Sequence, residues 1–471
     1  MRYVSTRGEA KPLLFEDALL AGLARDGGLY VPEAWPKLTP AAIADLAGRD
    51  YADAAYLVMR PYLEGDPSLA DLEQVLDEAY SGFDDPVVAP LRKIAPNMFL
   101  LELFHGPTLA FKDLAMQVVG RMMNNALQRR GARATVIGAT SGDTGAAAIE
   151  AFRGLDAIDI FILHPKGRVS DVQRRQMTSA SEANVHNIAI EGNFDDCQAI
   201  VKALFNNESL RDGLQLTGVN SINWARILAQ TVYYFTSAVA LGAPDRSVAF
   251  TVPTGNFGDI FAGYAARAMG LPVKRLVIAT NLNDSLPRAL ATGIFEPRGV
   301  VATSSPSMDI QLASNFERLL FELGGRHASR VRSLMDELRG TGRLRLQESE
   351  LRDLRALFAA HSIGEPETEA TIRNFYESAG MLVDPHTAVA IAAAKLEAGQ
   401  SETPMVVLST AHPAKFPEAV SRATGIVPEQ PERLRLKLGQ AERCEIMPND
   451  FARVAEFISA RTRASRTGVG A

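Results

Sequence analysis

The sequence predicts an α/β protein whose strands form a mainly parallel sheet. From about residue 93 onward, short apolar runs typical of buried strands alternate with helix-like stretches, which is the pattern of βαβ units. The apolar runs are residues 98–103, 134–138, 158–163, 185–190, 248–252, 276–279 and 405–408. Three of them end in loops rich in Gly, Ser or Thr, at 138–145, 253–259 and 409–413. Ligands bind at the carboxyl ends of strands in open α/β sheets, so these loops predict a ligand site.

Residues 1–92 are predicted to form a mostly helical accessory domain with short strands. Apolar residues at helical spacing within 15–23 predict its first helix, and the Asp-Gly-Gly turn at 26–28 ends that helix. A short strand is expected at 29–31. The Asp-Asp-Pro sequence at 84–86 predicts a turn at the boundary with the rest of the chain.

The stretch from about 309 to 380 differs from its surroundings, because Leu, Arg and Glu recur there at helical spacing. This pattern predicts a helical insertion. After it, residues 383–385 and 405–408 are expected to return to the sheet. A C-terminal helix and tail are expected over residues 451–471.

The composition restricts the class of function. The 471 residues include 49 Lys and Arg against 55 Asp and Glu, which gives a formal net charge of −6. This balance argues against nucleic acid as the main partner, because binding a phosphate backbone calls for a basic face. Two cysteines are too few for a disulfide framework, and seven scattered histidines lack the spacing of metal ligands.

The sequence gives no indication of a membrane segment. The first residues lack the apolar stretch of a signal peptide, and no run approaches the about 20 apolar residues that cross a bilayer. We therefore expect a cytoplasmic protein with no membrane partner. A monomer and a homodimer both suit the composition.

One lysine, Lys112, lies between Phe111 and Leu114, directly after a Gly-Pro-Thr turn. Burying a lysine among apolar residues is costly unless the amine is paired, neutral or covalently used, and loss of water lowers its pKa. A neutral amine forms an imine with a carbonyl compound or with pyridoxal phosphate (PLP). The alternative is an ordinary surface lysine whose stem packs while its ammonium reaches water.

The segment around this lysine resembles a known motif. His105-Gly106-Pro107-Thr108 with Phe111-Lys112-Asp113 is similar to the Schiff-base lysine motif of threonine synthases, PLP enzymes of the fold type II (tryptophan synthase β) superfamily. Other segments resemble the long, bacterial and fungal type of this family: Tyr3-Val4-Ser5-Thr6-Arg7, Asn220-Ser221-Ile222-Asn223-Trp224-Ala225-Arg226, Ser307-Met308-Asp309-Ile310 and Ala411-His412-Pro413-Ala414-Lys415-Phe416. The resemblance runs from about residue 3 to about residue 420. It implies a catalytic region at 93–450 with two open, twisted α/β lobes, the small lobe covering about 130–210.

The resemblance implies PLP as the cofactor, bound covalently by Lys112, which would also move protons at the substrate Cα. The implied phosphate cup consists of Gly255, Asn256, Phe257 and Gly258. Its glycines are expected to exclude side chains, either by collision with the phosphate or by a positive φ. Thr410 would hydrogen-bond the pyridine nitrogen, and Asp143, near the cofactor, would have to be protonated or paired. From the residues alone, 255–258 is equally well a tight strand-to-helix turn, and Ser409-Thr410 a cap on a strand end.

The resemblance also implies residues that bind the substrate. Thr140, Ser141 and Thr144 would lie in the loop for the substrate carboxylate, at a helix start that favours anions. Ser221 and Arg226 would hold the substrate phosphate, since guanidinium binds phosphate oxygens bidentately. The alternative is a helix N-cap at Ser221 or Asn223, with Arg226 in a surface ion pair.

The implied reaction converts O-phospho-L-homoserine and water to L-threonine and phosphate, with no metal. One alternative is a PLP-dependent phospholyase or dehydratase that releases 2-oxobutyrate. Another is a non-catalytic α/β protein that binds a metabolite. His105 and His412 are equally compatible with phosphate contact, proton relay or a structural role, whereas His386 is expected to be structural.

Overall fold

The fold was analysed in a computed structural model that describes residues 1–140, 142–218, 221–397 and 402–464. The strands are β1 Tyr3–Ser5, β2 Tyr30–Pro32, β3 Leu91–Ala95, β4 Met98–Glu102, β5 Ala134–Ala139, β6 Ile158–Pro165, β7 Val185–Glu191, β8 Leu216–Gly218, β9 Val248–Pro253, β10 Val273–Thr280, β11 Ile294–Phe295, β12 Leu344–Arg345, β13 Phe358–Ser362, β14 Met405–Ser409 and β15 Glu445–Pro448. The α-helices are α1 Phe15–Ala21, α2 Pro40–Ala44, α3 Tyr51–Met59, α4 Leu72–Tyr80, α5 Lys112–Arg129, α6 Asp143–Phe152, α7 Asp171–Thr178, α8 Phe194–Asn206, α9 Glu208–Gly213, α10 Trp224–Ala240, α11 Gly258–Ala268, α12 Ser285–Thr292, α13 Phe316–Leu323, α14 Ala328–Thr341, α15 Glu348–Leu357, α16 Glu365–Ala379, α17 Pro385–Glu397, α18 Pro417–Thr424, α19 Glu432–Leu438 and α20 Phe451–Arg461.

A large mixed sheet has the strand order β13-β10-β9-β14-β4-β3 within the described residues. All neighbours are parallel except β3, which runs antiparallel to β4. Alternate residues of β14 belong to different hydrophobic cores. Val406 and Leu408 share a core with α5, α10 and α11, whereas Met405 and Val407 share a core with α16 and α17. A strand buried on both faces needs apolar residues at every position, which is why β14 is a continuous apolar run.

A second, smaller sheet has the order β15-β7-β6-β5-β8 in the described part of the chain, and its strands are all parallel. The edge strand β15 comes from the C-terminal part of the chain and pairs with β7, with Glu445 opposite Ile188. Helix α20 covers this sheet through Val454 and Ile458, both fully buried. The small lobe is therefore assembled from a segment inserted between β4 and β9 of the large sheet and from a segment that follows β14.

The sequence predicted these elements well. Every apolar run predicted as a strand is one, and the α/β class with two lobes is confirmed. The region 309–380 contains α13 to α16, as expected for a helical insertion, but it also contains β13, which joins the large sheet beside β10. The sequence of β13, Phe-Ala-Ala-His-Ser, is too short and too rich in Ala to indicate a strand. The domain limits themselves remain a prediction, and residues 465–471 of the predicted tail lie outside the described residues.

The expected return to the sheet at 383–385 is wrong. Pro385 is the first residue of α17, and Asp384 accepts hydrogen bonds from the backbone N–H groups of His386 and Thr387, at 3.0 and 3.1 Å. Asp before Pro is a helix start signal, because the carboxylate caps the helix and Pro needs no N–H bond in the first turn.

The fold brings the ends of β4 and β14 together. In the parallel register Ser409 lies opposite Glu102, and the chain segments after both strands stay paired. The Leu103 N–H donates to Ser409 O, and the Phe111 N–H donates to Thr410 O, both at 2.9 Å. Within the described residues, no helix is long and apolar enough to cross a membrane.

Candidate active site

Lys112 is the first residue of α5, and the turn before it is held by the residue that follows it. Asp113 accepts hydrogen bonds from the N–H and the hydroxyl of Thr108, both at 2.7 Å. This arrangement requires glycine at position 106. The Cβ of any other residue there would lie 2.5 Å from Asp113 Cβ and collide with it. Burial raises the pKa of Asp113 to about 6, although the Thr108 hydrogen bonds oppose it. The Gly-Pro-Thr turn therefore fixes where α5 begins, and with it the position of Lys112.

The Lys112 amine lies inside the protein, with its side chain 10% exposed. Its Nζ donates to Ser307 Oγ at 3.4 Å and lies 3.9 Å from Asp143 Oδ2. Burial, with smaller contributions from Lys415 and Arg226 and against the opposing effect of Asp143, lowers the pKa of Lys112 to about 8. The surface-lysine alternative does not fit this environment. A lowered pKa makes the neutral amine more accessible than it is in an ordinary surface lysine.

Asp143, the first residue of α6, is buried and paired. Its Oδ1 lies 2.9 Å from Lys415 Nζ and accepts a hydrogen bond from Gln173 Nε2 at 2.9 Å. Burial raises the pKa of the Asp143 carboxyl, but Lys415 and Lys112 together lower it below its ordinary value. Of the two states expected for this carboxyl, protonated or paired, the structure shows the paired one.

The loop before α6 is held by Thr140. Its hydroxyl accepts hydrogen bonds from the N–H groups of Gly142 and Gly145, both at 3.0 Å. Thr144 is half-buried, and its hydroxyl makes no hydrogen bond within the described residues. In this geometry Thr140 shapes the loop and Thr144 is free to contact a ligand. Ser141 lies outside the described residues.

The segment 255–258 connects β9 to α11 and presents unpaired backbone donors. Its four N–H groups make no hydrogen bond within the described part of the chain. Consecutive free N–H groups at a helix start are a binding site for an anion, and here they lie in the same site as a buried lysine amine. These residues fit PLP, whose phosphate would bind the N–H groups and whose carbonyl carbon would bond Lys112.

The backbone of this segment is held by Asn315 and lies close to Ser307. Asn315 donates to Asn256 O from its backbone N–H at 3.1 Å and from its side chain at 3.0 Å. The positive φ expected at a glycine occurs at Phe257 instead, with φ of +64°. Gly255 excludes a side chain for another reason, because a Cβ there would lie 2.8 Å from Ser307 O.

Gly258 is less restricted than Gly255. A Cβ at Gly258 would lie 3.3 Å from the end of the Asn315 side chain, which is flexible, and its φ is not positive. The expectation that both glycines exclude a side chain is thus supported by close contacts at Gly255 only.

Arg226 lies in the first turn of α10 and is buried, 5% exposed. Its Nε and Nη1 have no hydrogen-bond partner among the residues that the structure describes, and burial lowers the pKa of Arg226 to about 10. The surface ion-pair alternative is therefore wrong. The N-cap alternative holds for Asn223, whose Oδ1 accepts from the Ala225 N–H at 3.1 Å, and not for Ser221. The Ser221 hydroxyl is half-buried and makes no hydrogen bond within the described residues.

The state of Arg226 contrasts with that of a second buried arginine nearby. Arg318 is fully buried and donates to Tyr30 O at 3.0 Å and to Ile222 O at 2.6 Å. A buried guanidinium without partners costs several kcal/mol in order-of-magnitude terms, which proteins avoid unless a ligand supplies the charge. Arg226 therefore indicates an anionic ligand.

Thr410 lies directly after β14 and is 5% exposed. Its carbonyl accepts the Phe111 N–H, so its side chain is held close to Lys112 in the fold. The Thr410 hydroxyl makes no hydrogen bond within the described residues, which leaves it free for a ligand atom. Its predicted bond to the pyridine nitrogen stays a prediction.

His386 makes structural hydrogen bonds. Its Nδ1 lies 2.6 Å from Asp384 Oδ2, and its Nε2 accepts from the Ser307 N–H at 3.2 Å. With Nε2 accepting a hydrogen bond, Nδ1 is the ring nitrogen that can donate to Asp384. It helps to hold the Ser307 loop against Lys112.

His105 and His412 are also bonded within the protein. His105 Nε2 lies 2.9 Å from Glu102 Oε2, and His412 Nδ1 accepts from the Ala414 N–H at 3.1 Å. Burial lowers the pKa of His412 to about 4, and His105 adds to this. Among the residues that the structure describes, no group of three His, Cys, Asp or Glu side chains could hold a metal.

Sequence reasoning assigned no role to four residues that the structure places here. They are Ser307, Lys415, Asn315 and Gln173. Lys415 carried a usable signal, because it lies between Ala414 and Phe416, just as Lys112 lies between apolar residues. The other three are polar residues with no sequence signal of their own.

We expect Gly255→Ala to weaken PLP binding by about tenfold or more, because the added methyl would push the Ser307 loop away from the cup. The measurement is the dissociation constant for PLP by absorbance titration. Gly340→Ala is the matched control, since nothing lies within 4 Å of a Cβ there. Unchanged PLP affinity in a folded Gly255→Ala protein would contradict the role of this segment.

Comparison with known proteins agrees with this geometry. Family models described as "Threonine synthase N terminus", "Pyridoxal-phosphate dependent enzyme" and "Threonine synthase, C-terminal" match residues 2–80, 90–411 and 387–458. A threonine synthase of Pseudomonas aeruginosa is 52% identical over 460 residues, which is 98% of this chain and 98% of that protein. The chain belongs to the threonine synthase family.

Solved threonine synthases share the whole fold. The crystal structure of PLP-bound threonine synthase from Brucella melitensis superposes with a TM-score of 0.96 at 55% identity and covers 98% of this chain and 100% of that one. Threonine synthase from yeast has a TM-score of 0.92 at 39% identity, with 98% of each chain covered. As a member of the threonine synthase family, the chain is a PLP-dependent lyase of fold type II.

Proposed function

We propose that this chain converts O-phospho-L-homoserine and water to L-threonine and inorganic phosphate. The observation that carries the proposal is that Lys112 lies among two separate sets of unpaired donors. The N–H groups of 255–258 suit the phosphate of PLP, and Arg226 suits a second phosphate. Arg226 is close enough to Lys112 to lower its pKa. A substrate with a phosphate of its own fits this arrangement.

The net reaction breaks the Cγ–O bond of the substrate, and the electron pair leaves with the phosphate. Cβ loses one proton and gains the hydroxyl of water, and Cγ gains a proton. Bound PLP supplies the electron sink that stabilises negative charge on the substrate carbons. Lys112 holds the cofactor and then moves the Cα proton, a task that suits an amine with a pKa of about 8.

The remaining residues bind and orient the substrate and the cofactor. Arg226, with Ser221, binds the substrate phosphate and stabilises the charge that it gains as it leaves. Thr144, at the start of α6, binds the substrate carboxylate together with Thr140 and Ser141 of the same loop. Thr410 and Asp143 would help to hold the cofactor.

The proposal includes the cytoplasm as the compartment. Both cysteines are free, Cys197 buried and Cys444 exposed, which suits a reducing compartment. The oligomeric state, monomer or homodimer, stays open.

The test is to incubate the PLP-loaded protein with O-phospho-L-homoserine and to quantify phosphate, threonine and 2-oxobutyrate together. Phosphate and threonine in equal amounts are the expected result. Release of 2-oxobutyrate would overturn the proposal in favour of a phospholyase or dehydratase. Absence of any product would overturn it in favour of a different substrate.

A further inference from the structure

A second lysine of the active site is completely buried. The Lys415 side chain is 0% exposed and lies in the short 3-10 helix Pro413–Lys415 that follows β14. Its amine donates to Thr108 O at 2.7 Å and pairs with Asp143 Oδ1 at 2.9 Å. Both partners belong to the loops that surround Lys112. Burying a lysine side chain is costly unless its amine is paired and has a use.

Asp143 lies between two lysine amines and faces each with a different oxygen. Oδ1 is bound by Lys415 and by Gln173, whereas Oδ2 faces Ser307 Oγ at 3.3 Å and Lys112 Nζ at 3.9 Å. The shorter, hydrogen-bonded contact goes to Lys415. The distance between Lys112 Nζ and Asp143 Oδ2 is at the long end of the range for an ion pair.

We propose that Lys415 is a positioning residue that takes up the charge of Asp143 and so keeps the Lys112 amine without a tight carboxylate partner. The inference rests on the proposed role of Lys112 as the amine that binds PLP. It does not depend on which substrate the enzyme uses.

The charges around Lys112 give the direction of the effect. A nearby anion favours the charged form of an amine, and a nearby cation favours the neutral form. Without Lys415, Asp143 would have Lys112 as its one lysine partner, and the direct repulsion by Lys415 would also be lost. Both changes raise the pKa of Lys112. The other charged groups that act on it are Arg226 from α10, Asp113 from its own helix and Asp259 from α11.

The test measures the pH dependence of Lys112 acetylation in the full-length protein freed of PLP, by mass spectrometry of the Lys112 peptide. Lys415→Met is expected to raise the midpoint by about one pH unit or more, and Asp143→Asn to lower it. The double variant is expected to return towards the wild-type midpoint. Circular dichroism and thermal unfolding establish that each variant retains its fold.

Lys437→Met is the matched control. Lys437 is also a shielded lysine paired with a carboxylate of α6, Glu150, but at the opposite end of that helix from Asp143. Its replacement should leave the Lys112 midpoint unchanged. The exposed Lys93 serves as an internal standard in every sample.

A second readout is the rate at which PLP is taken up, trapped on Lys112 by borohydride at pH 7. A midpoint one unit higher leaves about tenfold less neutral amine, so Lys415→Met should bind PLP about tenfold more slowly. An unchanged or lowered midpoint in Lys415→Met would overturn the proposal. If Lys415→Met does not fold, Asp143→Asn and Lys415→Arg provide the test. An unchanged Lys112 midpoint in Asp143→Asn would overturn the proposal. A raised Lys112 midpoint in Lys415→Arg would also overturn it. Neither readout uses substrate, so a failed threonine assay leaves this test intact.

Discussion

Lys112→Ala is expected to lower turnover of O-phospho-L-homoserine by on the order of 10³-fold or more and to remove covalent attachment of PLP. The amine is the group placed to bond the cofactor and to move the Cα proton, and losing a positioned base alone costs a factor of this size. Borohydride reduction of the wild-type protein followed by peptide mapping should place the PLP label on Lys112. PLP is still expected to bind the variant through its phosphate, at the free N–H groups of 255–258.

Two other lysines serve as controls for this result. Lys93 is exposed, and Lys93→Ala should leave turnover and labelling unchanged. Lys415 is buried beside Lys112, but its amine is committed to Asp143 and Thr108, so it should carry no label. A label on Lys415, or a Lys112→Ala protein with normal turnover, would show that the assignment is wrong.

Arg226→Met is expected to lower kcat/KM for O-phospho-L-homoserine by ~10²-fold or more. Losing a cation that stabilises a leaving phosphate removes about 3 kcal/mol from the transition state. PLP binding should persist, because the cofactor phosphate is assigned to 255–258. Arg226→Lys should recover part of the activity, since an ammonium keeps the charge but not the planar pair of donors.

The same variant has an opposite effect on stability. Arg226 Nε and Nη1 have no partner in the described part of the chain, so replacing the guanidinium with a methyl thioether removes an uncompensated buried charge. The melting temperature of the PLP-free protein is therefore expected to stay equal or to rise. Arg318 provides the contrast: its guanidinium is bonded to Tyr30 O and Ile222 O, so Arg318→Met should lower the melting temperature. Unchanged kcat/KM in Arg226→Met would refute the role of Arg226 in phosphate binding.

Local patterns predicted much of the fold. The strands of both sheet cores are continuous apolar runs because both faces of a parallel sheet are covered, and such runs are visible without any knowledge of the partner strand. The exceptions are the four edge strands β3, β8, β13 and β15. They are short and partly exposed, so their sequences lack the apolar run, and their membership depends on the neighbouring strands β4, β5, β10 and β7.

The candidate site was likewise predicted only in part from the sequence. Lys112, the segment 255–258 and Thr410 follow strand ends in sequence, and the resemblance to a known motif identified them together. Asp143 was recognised as a residue that needs a partner, but the partner was not identified. Lys415 supplies it from a loop that is distant in sequence and adjacent in space.

The sequence by itself determined the α/β class, the central strands, the family and the candidate lysine for the cofactor, because each depends on short runs of neighbouring residues. The tertiary structure alone decided which charges are paired. Whether Arg226 is a surface ion pair or a buried, unpaired cation depends on every side chain around it, and those come from several elements of the fold. The same holds for Asp143, whose charge is set by burial and by two lysines that are distant in sequence. Desolvation and Coulomb interaction act through space, so a linear pattern does not encode them locally.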